Sequence, residues 1–497
     1  MKNFKKYIGL SLSVALLWSC TYDAPEQVEP NSGTADFSKV VAVGNSLTAG
    51  FMNGALYDAG QSTSYAAILS TQMQLVGGGT FNTPMTGSTV GCYNPSEGCT
   101  AGRLVLKGLE DPTPSPTVPG DPNALAPYGG DKGALNNFGV PGITLATALT
   151  PLAGAPADPA NPAFNPYYAR IASNPGTSTI IGDATTAFAD GATFLLFWLG
   201  SNDVLGYAIG GAANEAILTS EGDFETRFNG ALGSLLQANT SAKGAVANIP
   251  NVLSVPFFKL VPWNAIPLDA ATAAFANSSY QDYNDGLAAA LALGEIDQAE
   301  HDRRLVEFVE GQNGFIVEDD ELTTADISAA YGFPPGSVVL PNYRHAESTD
   351  LVPLTAGSVL GTLQDPNDPT SVYGVGVAMG DQYLLTPAEL SVIQSRTAVF
   401  NQTIANTVTA NSDRLVLIDI HSILEDLAEN GTVINGSTLN ASVTPPFGGF
   451  SLDGVHPNSR GNAFIANKFI EAINAKFNAL IPFANPNDYA GNALPIP

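Results

Sequence analysis

Short apolar runs that each end in a polar turn alternate along this chain with segments in which apolar residues recur every three or four positions. Four of the runs have the length and composition of buried β-strands; they lie at residues 40–43, 193–199, 244–249 and 415–418. The helical spacing predicts helices at residues 62–73, 223–236, 386–410 and 462–477. Strands that alternate with helices predict an α/β fold with a parallel sheet.

The third predicted helix has a well-defined start. Thr386 can act as the N-cap, Pro387 takes the first helical position and Glu389 takes the third, which is the pattern of a capping box. We therefore expect a helix that begins after Thr386 and ends near Ala410.

Three segments interrupt this rhythm. Residues 75–135 and 151–178 are rich in Gly, Pro and small polar residues, which predicts long excursions over the surface. Residues 263–380 contain a predicted helix at 298–309 and the acidic run Glu318–Glu321, and we interpret them as an inserted cap rather than an independent domain. The acidic run is interpreted as a solvated face, with a calcium site as the alternative.

The N-terminus is typical of an export signal. Three lysines precede an apolar stretch, residues 8–17, that is too short to span a bilayer. The sequence LWSC, ending at Cys20, resembles a bacterial lipobox, which predicts a signal peptide at 1–20 and lipid attachment to Cys20; a plain secretory signal is the alternative. Residues 21–36 are polar and are predicted to form a flexible tether.

The excess of acidic residues makes some classes of binding partner unfavourable. The 497-residue chain has 46 acidic residues against 19 Lys and Arg. This balance argues against nucleic acid and against electrostatic binding to anionic lipid surfaces. Of the three cysteines, Cys92 and Cys99 lie in one Gly/Pro-rich loop, where a disulfide is the natural interpretation for an exported protein. A zinc site there would need further ligands.

The residues that could take part in catalysis lie in four turns, each of which follows a predicted strand or precedes a predicted helix. They contain Ser46, Gly142, Asn202 and the pair Asp453 and His456. A carboxylate three residues before a histidine can accept a hydrogen bond from Nδ1–H, which leaves Nε2 free to act as a base. Each turn also has an ordinary structural interpretation, as a capping serine or a surface loop.

Together the four turns resemble the conserved blocks of the SGNH hydrolases, the GDSL lipase/esterase family. The blocks are GNSL at 44–47, NFGVPG at 137–142, GSND at 200–203 and DGVHP at 453–457. The resemblance runs in blocks from about residue 37 to 478, and the stretches between them are longer than in minimal members of the family.

The resemblance implies a flavodoxin-like, three-layer α/β/α hydrolase domain at 37–480, followed by a C-terminal tail at 481–497. It implies a serine esterase or lipase that needs no cofactor or metal. Ser46 would be the nucleophile, His456 the base and Asp453 its partner. The backbone N–H groups of Ser46 and Gly142 and the side chain of Asn202 would form the oxyanion hole, with Gly139 as the alternative to Gly142.

One position departs from the family pattern: Asn45 stands where an aspartate usually precedes the serine. The position is not part of the triad, so we expect activity to survive with a different pH profile or substrate range. An α/β-hydrolase is a poorer match, because Leu47 and Thr48 replace the end of the Gly-x-Ser-x-Gly elbow.

We expect an ester substrate and a location outside the cytoplasm, at the bacterial outer membrane, held by the lipid anchor. A carbohydrate O-acetyl esterase acting on glycans and an inactive surface-binding lipoprotein are the alternatives. Phe257, Phe258 and Trp263 are candidates to line an acyl pocket, or else they belong to the core.

Overall fold

The computed structural model of the protein describes residues 29–110 and 112–496. The predicted signal peptide, Cys20 and residues 21–28 of the predicted tether lie outside the described residues. Within the described part of the chain, no helix combines the length and the hydropathy needed to cross a bilayer.

A five-stranded parallel sheet forms the centre of the α/β unit. Its strands are β1 (Val40–Gly44), β2 (Asn137–Gly139), β3 (Phe194–Trp198), β4 (Lys243–Ala247) and β5 (Leu415–Ile418). Across the sheet they take the order β2-β1-β3-β4-β5. This is the strand order of flavodoxin-like doubly wound folds. The four predicted strands are confirmed, whereas the short edge strand β2 was not predicted.

The pleat of the strands divides the core in two. Val41 and Val43 of β1 lie in one hydrophobic cluster, and Val40 and Ala42 lie in the other. Both clusters contain buried residues of β3 as well, so the sheet is apolar on both faces, as a parallel sheet covered by helices must be.

Helices cover both faces of the sheet. The α-helices of the described residues are α1 (Ser46–Ala49), α2 (Asp58–Ser62), α3 (Tyr65–Gln74), α4 (Leu145–Ala148), α5 (Pro166–Ile171), α6 (Ile180–Ala189), α7 (Asn202–Ile209), α8 (Glu221–Ala238), α9 (Ala270–Ser279), α10 (Gln281–Leu293), α11 (Gln298–Arg304), α12 (Pro387–Ala410), α13 (Ile420–Asn430) and α14 (Ser459–Phe477). Helices α6, α8 and α12 contribute to one cluster, and α3, α13 and α14 contribute to the other. The arrangement is compatible with a three-layer α/β fold.

The helix predicted at 386–410 agrees with the structure at both of its ends. Helix α12 begins with the predicted capping box, in which the side chains of Thr386 and Glu389 each bond the other residue's backbone N–H, and it ends at Ala410. The helix predicted at 62–73 corresponds to α3 and begins three residues later, because Ser64 is its N-cap, while Ser62 is the last residue of α2.

The first long excursion has more structure than its composition predicts. Gly102–Lys107 and Thr113–Thr117 pair as an antiparallel hairpin. A disulfide joins Cys92 to Cys99 just before it. The second excursion includes α5, which Asn165 caps through its side chain.

The segment 263–380 has hydrophobic clusters of its own. Two clusters consist of residues from 261 to 384, packed around α9, α10 and three short antiparallel strand pairs. These pairs are Ile266–Leu268 with Gly311–Asn313, Ile316–Glu318 with Tyr343–His345, and Ala325–Asp326 with Val339–Leu340. The helix predicted at 298–309 is shorter and ends at Arg304. A further hairpin, Thr432–Ile434 with Ser437–Leu439, follows α13.

The acidic run is not a uniformly solvated face, which corrects the prediction. Asp319 is buried, and its carboxylate accepts hydrogen bonds from the guanidinium groups of Arg344 and Arg303. Arg344 is fully buried and also bonds Asp350 at 2.7 Å. The reason is that a buried arginine needs carboxylate partners, and the run supplies one of them.

Parts of the predicted tether and of the predicted C-terminal tail pack against the fold. The N–H of Leu480 donates to the carbonyl of Asn31, and the N–H of Thr34 donates to that of Phe477. In the predicted C-terminal tail, Ala484 N donates to Asn467 Oδ1 at 2.8 Å. Residues 31–36 are therefore part of the folded unit rather than of a flexible tether.

Candidate active site

Ser46 follows β1 at the carboxyl edge of the sheet. Gly44 ends the strand in a position where a Cβ would overlap Thr48 of α1 and approach the carbonyl of Trp198, so only glycine fits. Asn45 caps α1, and its Oδ1 accepts the N–H of Leu47 at 3.0 Å. Strand order reverses between β1 and β3, and in open α/β sheets ligands bind at such a switch point.

Ser46, His456 and Asp453 form a continuous chain of hydrogen bonds. Ser46 Oγ lies 2.9 Å from Nε2 of His456, a residue 410 positions later in the sequence. His456 Nδ1 lies 3.1 Å from Asp453 Oδ2. With the proton on Nδ1, the imidazole donates to the carboxylate and its Nε2 accepts the serine hydroxyl. The ring of Phe51 lies against the imidazole, with 5.0 Å between the centroids.

The carboxylate of Asp453 is held in its charged form. Its oxygens accept the backbone N–H groups of Val455 and His456 and, from a distant segment, that of Gly54 at 2.9 Å. Burial raises the pKa of this carboxyl, but the charge and the hydrogen bonds of His456 outweigh burial and lower the pKa to about 2. Asp453 therefore stays ionised at any pH at which the imidazole works as a base.

The three predicted oxyanion donors lie at the ends of β1, β2 and β3. Asn202 is the first residue of α7, and its Nδ2 donates to the carbonyl of Ile143 at 2.8 Å. Ile143 directly follows Gly142, so this bond holds Asn202 close to that glycine. Gly142 is exposed and adopts a φ of +75°. Within the described residues, the backbone N–H groups of Ser46 and Gly142 have no hydrogen-bond acceptor. These groups are free to bind an incoming oxyanion.

Gly139 has a different role. Its N–H donates to Asn137 Oδ1 at 2.8 Å, and a Cβ at this position would collide with the backbone of Ala49 in α1. The residue allows β2 to approach the serine helix, and its N–H is already used. Of the two glycines, Gly142 is the one that has an N–H to offer.

Asp203 connects the turn after β2 to the turn after β3 through hydrogen bonds. Its Oδ2 accepts the N–H of Leu145 at 3.0 Å and its Oδ1 accepts the hydroxyl of Thr219 at 2.9 Å. Burial raises the pKa of the Asp203 carboxyl to about 6, although these hydrogen bonds and Arg227 lower it in part. Sequence reasoning placed this residue in the GSND block but assigned it no function.

Hydrogen bonds of Asn53 and Gly54, which the sequence did not predict, join the segment after Ser46 to the loop that contains His456. We call this group of contacts the clasp. Asn53, with a φ of +54°, donates its N–H to Ser451 Oγ at 2.9 Å and accepts the N–H of Leu452 on its Oδ1 at 2.9 Å. Together with the bond from Gly54 to Asp453, these contacts fix residues 451–453 relative to Ser46. In the sequence, Asn53-Gly54 is only a turn signal, and nothing in its spacing points 399 residues ahead.

A small cavity of about 40 Å³ opens beside Ser46. Asn45, Asn202 and His456 line it together with Ser46, and its other walls are mainly apolar. Phe257 and Phe258 are instead buried in the main core, and Trp263 packs within the 263–380 segment. Of the two alternatives for these aromatic residues, the core is therefore correct for Phe257 and Phe258, and none of the three residues lines this cavity.

Comparisons of the chain with protein-family models, with curated proteins and with solved structures found no match.

Proposed function

We propose that this protein is an SGNH-type serine hydrolase that cleaves carboxylic esters outside the cytoplasm, held at a bacterial outer membrane through Cys20. The observation that carries the proposal is the hydrogen-bonded chain Ser46–His456–Asp453, assembled from two segments about 400 residues apart. The free N–H groups of Ser46 and Gly142 and the amide of Asn202 support it further.

In the proposed reaction Ser46 Oγ attacks the ester carbonyl carbon while His456 Nε2 takes the hydroxyl proton. The imidazolium is stabilised by Asp453, and the oxyanion receives hydrogen bonds from Ser46 N–H, Gly142 N–H and Asn202 Nδ2. The tetrahedral intermediate collapses, the alcohol leaves with the proton from Nε2, and Ser46 remains acylated. Water then repeats the sequence, with Nε2 as the base, and releases the carboxylic acid.

Labelling with a fluorophosphonate tests this proposal. The reagent phosphonylates a serine only where a base and an oxyanion site activate it. We expect one label on Ser46, and none on the Ser46→Ala variant. A folded protein that neither reacts nor hydrolyses p-nitrophenyl esters would be a binding scaffold, and the proposal would be wrong.

A further inference from the structure

The first residues of the folded unit lie at the amino edge of the central sheet, where the strands begin. The N–H of Thr34 donates to the carbonyl of Phe477, the last residue of α14. The Nζ of Lys243, which opens β4, donates to the hydroxyl of Thr34 at 3.0 Å. The ring of Phe477 packs on that of Phe194, the first residue of β3, with 5.8 Å between the centroids. Thr34 is therefore fixed beside the starts of β3 and β4.

The catalytic groups lie at the opposite, carboxyl edge of the sheet. Ser46 follows β1 there, and His456 lies three residues before α14 begins at Ser459. Helix α14 has 19 residues and is therefore about 28 Å long. Because His456 precedes the first turn of this helix and Thr34 is bonded to its last residue, the active site and the start of the folded unit are separated by about the length of the helix.

A short segment connects the amino edge to the predicted lipid anchor. Residues 21–28 stand between Cys20 and Glu29, the first described residue. The nine Cα-to-Cα steps from Cys20 to Glu29 span at most about 30 Å, whatever path they take. A tether stretched along the side of the molecule would only just reach the level of Ser46. Every shorter path keeps the amino edge closer to the bilayer than the active site.

Two leucines are exposed at this edge, each just beyond the end of a helix. Leu75 follows α3 and is 61% exposed, and the chain after it returns to the amino edge, where the N–H of Gly79 donates to the carbonyl of Phe37. Leu480 follows α14 and is 42% exposed, and its N–H donates to the carbonyl of Asn31. Apolar side chains at such a position add to membrane binding when they enter the headgroup region.

The charge of the amino edge differs from that of the chain as a whole. The four residues before each central strand, together with the strand's first residue, include six charged residues: Asp36, Lys39, Asp190, Lys243, Asp413 and Arg414. Three carboxylates are thus balanced by three cations, whereas the whole chain has 46 acidic residues against 19 Lys and Arg. An acidic surface is repelled by anionic headgroups, but this edge approaches them without a net charge.

We propose that the amino edge of the sheet, with Leu75 and Leu480, is the face that this protein lays on the bilayer, and that the active site opens away from that bilayer. The inference rests on the proposed lipid anchor at Cys20 and on the proposed esterase function. The substrates are then esters that arrive from the aqueous side. The ester groups of the anchoring membrane's own lipids lie at headgroup level, about the length of α14 away from Ser46.

Quenching of a fluorophore by lipids brominated near the headgroup tests the orientation, with full-length lipidated protein in phosphatidylcholine vesicles. The fluorophore is attached to Leu480→Cys in one protein and to Phe447→Cys in the matched control. Phe447 is 49% exposed, and its neighbour Gly448 accepts a bond from Asn458, the N-cap of α14, so it marks the other end of that helix. We expect strong quenching at position 480 and little at position 447. Equal quenching at both positions, or stronger quenching at position 447, would overturn the proposal.

Turnover in the same vesicles tests the source of the substrate. The vesicle-bound protein should hydrolyse p-nitrophenyl acetate with about the same kcat/KM as the detergent-solubilised protein, because its active site opens to water. It should release no fatty acid from the phospholipids of its own vesicle. Fatty acid release that the Ser46→Ala variant abolishes would mean that the active site reaches the bilayer, and the proposal would be wrong.

Failure of this proposal can be told apart from failure of the proposed function. A protein that shows the expected quenching but neither ester turnover nor labelling of Ser46 would reject the esterase and keep the orientation. A protein whose Ser46 is labelled but whose quenching is reversed would reject only the orientation. A full-length protein that does not bind vesicles would reject the anchor and the orientation together.

Discussion

Asn202 has two amide hydrogens, and within the described residues only one of them is used, in the bond to Ile143. The second is available to an oxyanion. We expect Asn202→Ala to lower kcat by about 100- to 1,000-fold with little change in KM, because the lost bond forms chiefly in the transition state.

Asn165→Ala is the matched control for that variant. Asn165 Nδ2 bonds the carbonyl of Pro141, so it supports the same turn without contributing an oxyanion donor. We expect a much smaller effect on kcat. Equal losses in the two variants would mean that Asn202 only holds the turn.

The buried carboxyl of Asp203 predicts a pH-dependent stability. Its pKa is raised to about 6 in the folded protein from an ordinary value near 3.8. A raised pKa means that the folded state binds the proton more tightly, so the stabilising contribution is complete below pH 3.8 and is lost as the pH rises through about 6. The difference corresponds to about 3 kcal/mol.

Asp203→Asn should remove this contribution to the pH dependence, since the amide keeps the shape and does not ionise in this range. Chemical unfolding at pH 4.5 and 7.5 measures it: the wild-type protein should lose more stability than the variant between the two values. Parallel changes in the two proteins would show that Asp203 is not the group that titrates.

At the scale of elements, the clasp around Asn53 connects the segment after α1 to the loop before α14. Asn53→Gly keeps the backbone free to adopt the positive φ but removes the side-chain bonds to Leu452 and Tyr57. We expect kcat and the rate of fluorophosphonate labelling to fall about 10- to 100-fold, because small misplacements of catalytic groups are costly.

The chain provides a close control for this variant. Asn435 is also an asparagine at positive φ followed by glycine, in the exposed hairpin turn after α13. Asn435→Gly should leave labelling unchanged. If both variants lost stability and neither changed labelling, the clasp would be purely structural.

Sequence reasoning succeeded where one local signal determined the element. Continuous apolar runs identified β1 and β3, and the Thr386 capping box gave the start of α12. Sequence reasoning failed where the pairing of two strands determined a structure that the residue composition did not indicate. Pro114 and Pro116 are typical of a loop, yet they lie in a hairpin strand, paired with Leu106 and Leu104. Strand β2 has only three residues and ends next to a proline turn, so it has no periodicity to detect.

The same distinction applies to the site. Ser46, Asn202 and His456 stand at the ends of predicted elements, and parallel strands bring such ends to one edge, so their proximity could be predicted. Asn53 and Ser451 could not, because each sits in an irregular loop and their contact depends on how two loops pack. The burial of Asp319 was missed for the same reason: its partner Arg344 lies 25 residues away in a strand that pairs only in the folded segment.

At the scale of the whole molecule, the 263–380 segment is built around hydrophobic clusters of its own, and none of its residues lines the cavity beside Ser46. Two arrangements are then distinguishable. Either the segment's stability is separable from that of the catalytic sheet, or the two unfold together. A substitution of Arg344 can distinguish these two possibilities, because its buried ion pairs lie wholly inside the segment.

We expect Arg344→Met to destabilise the segment by about 3–5 kcal/mol, because Asp350 is left buried without its arginine and Asp319 keeps only Arg303. Hydrogen exchange should accelerate in residues 263–380, while strands β1 and β3 stay protected and Ser46 labels at the wild-type rate. Arg303→Met is the matched control: Arg303 is about one third exposed, so its loss should cost much less. Loss of protection in the central sheet, together with loss of labelling, would instead mean that the segment and the active site fold as one cooperative unit.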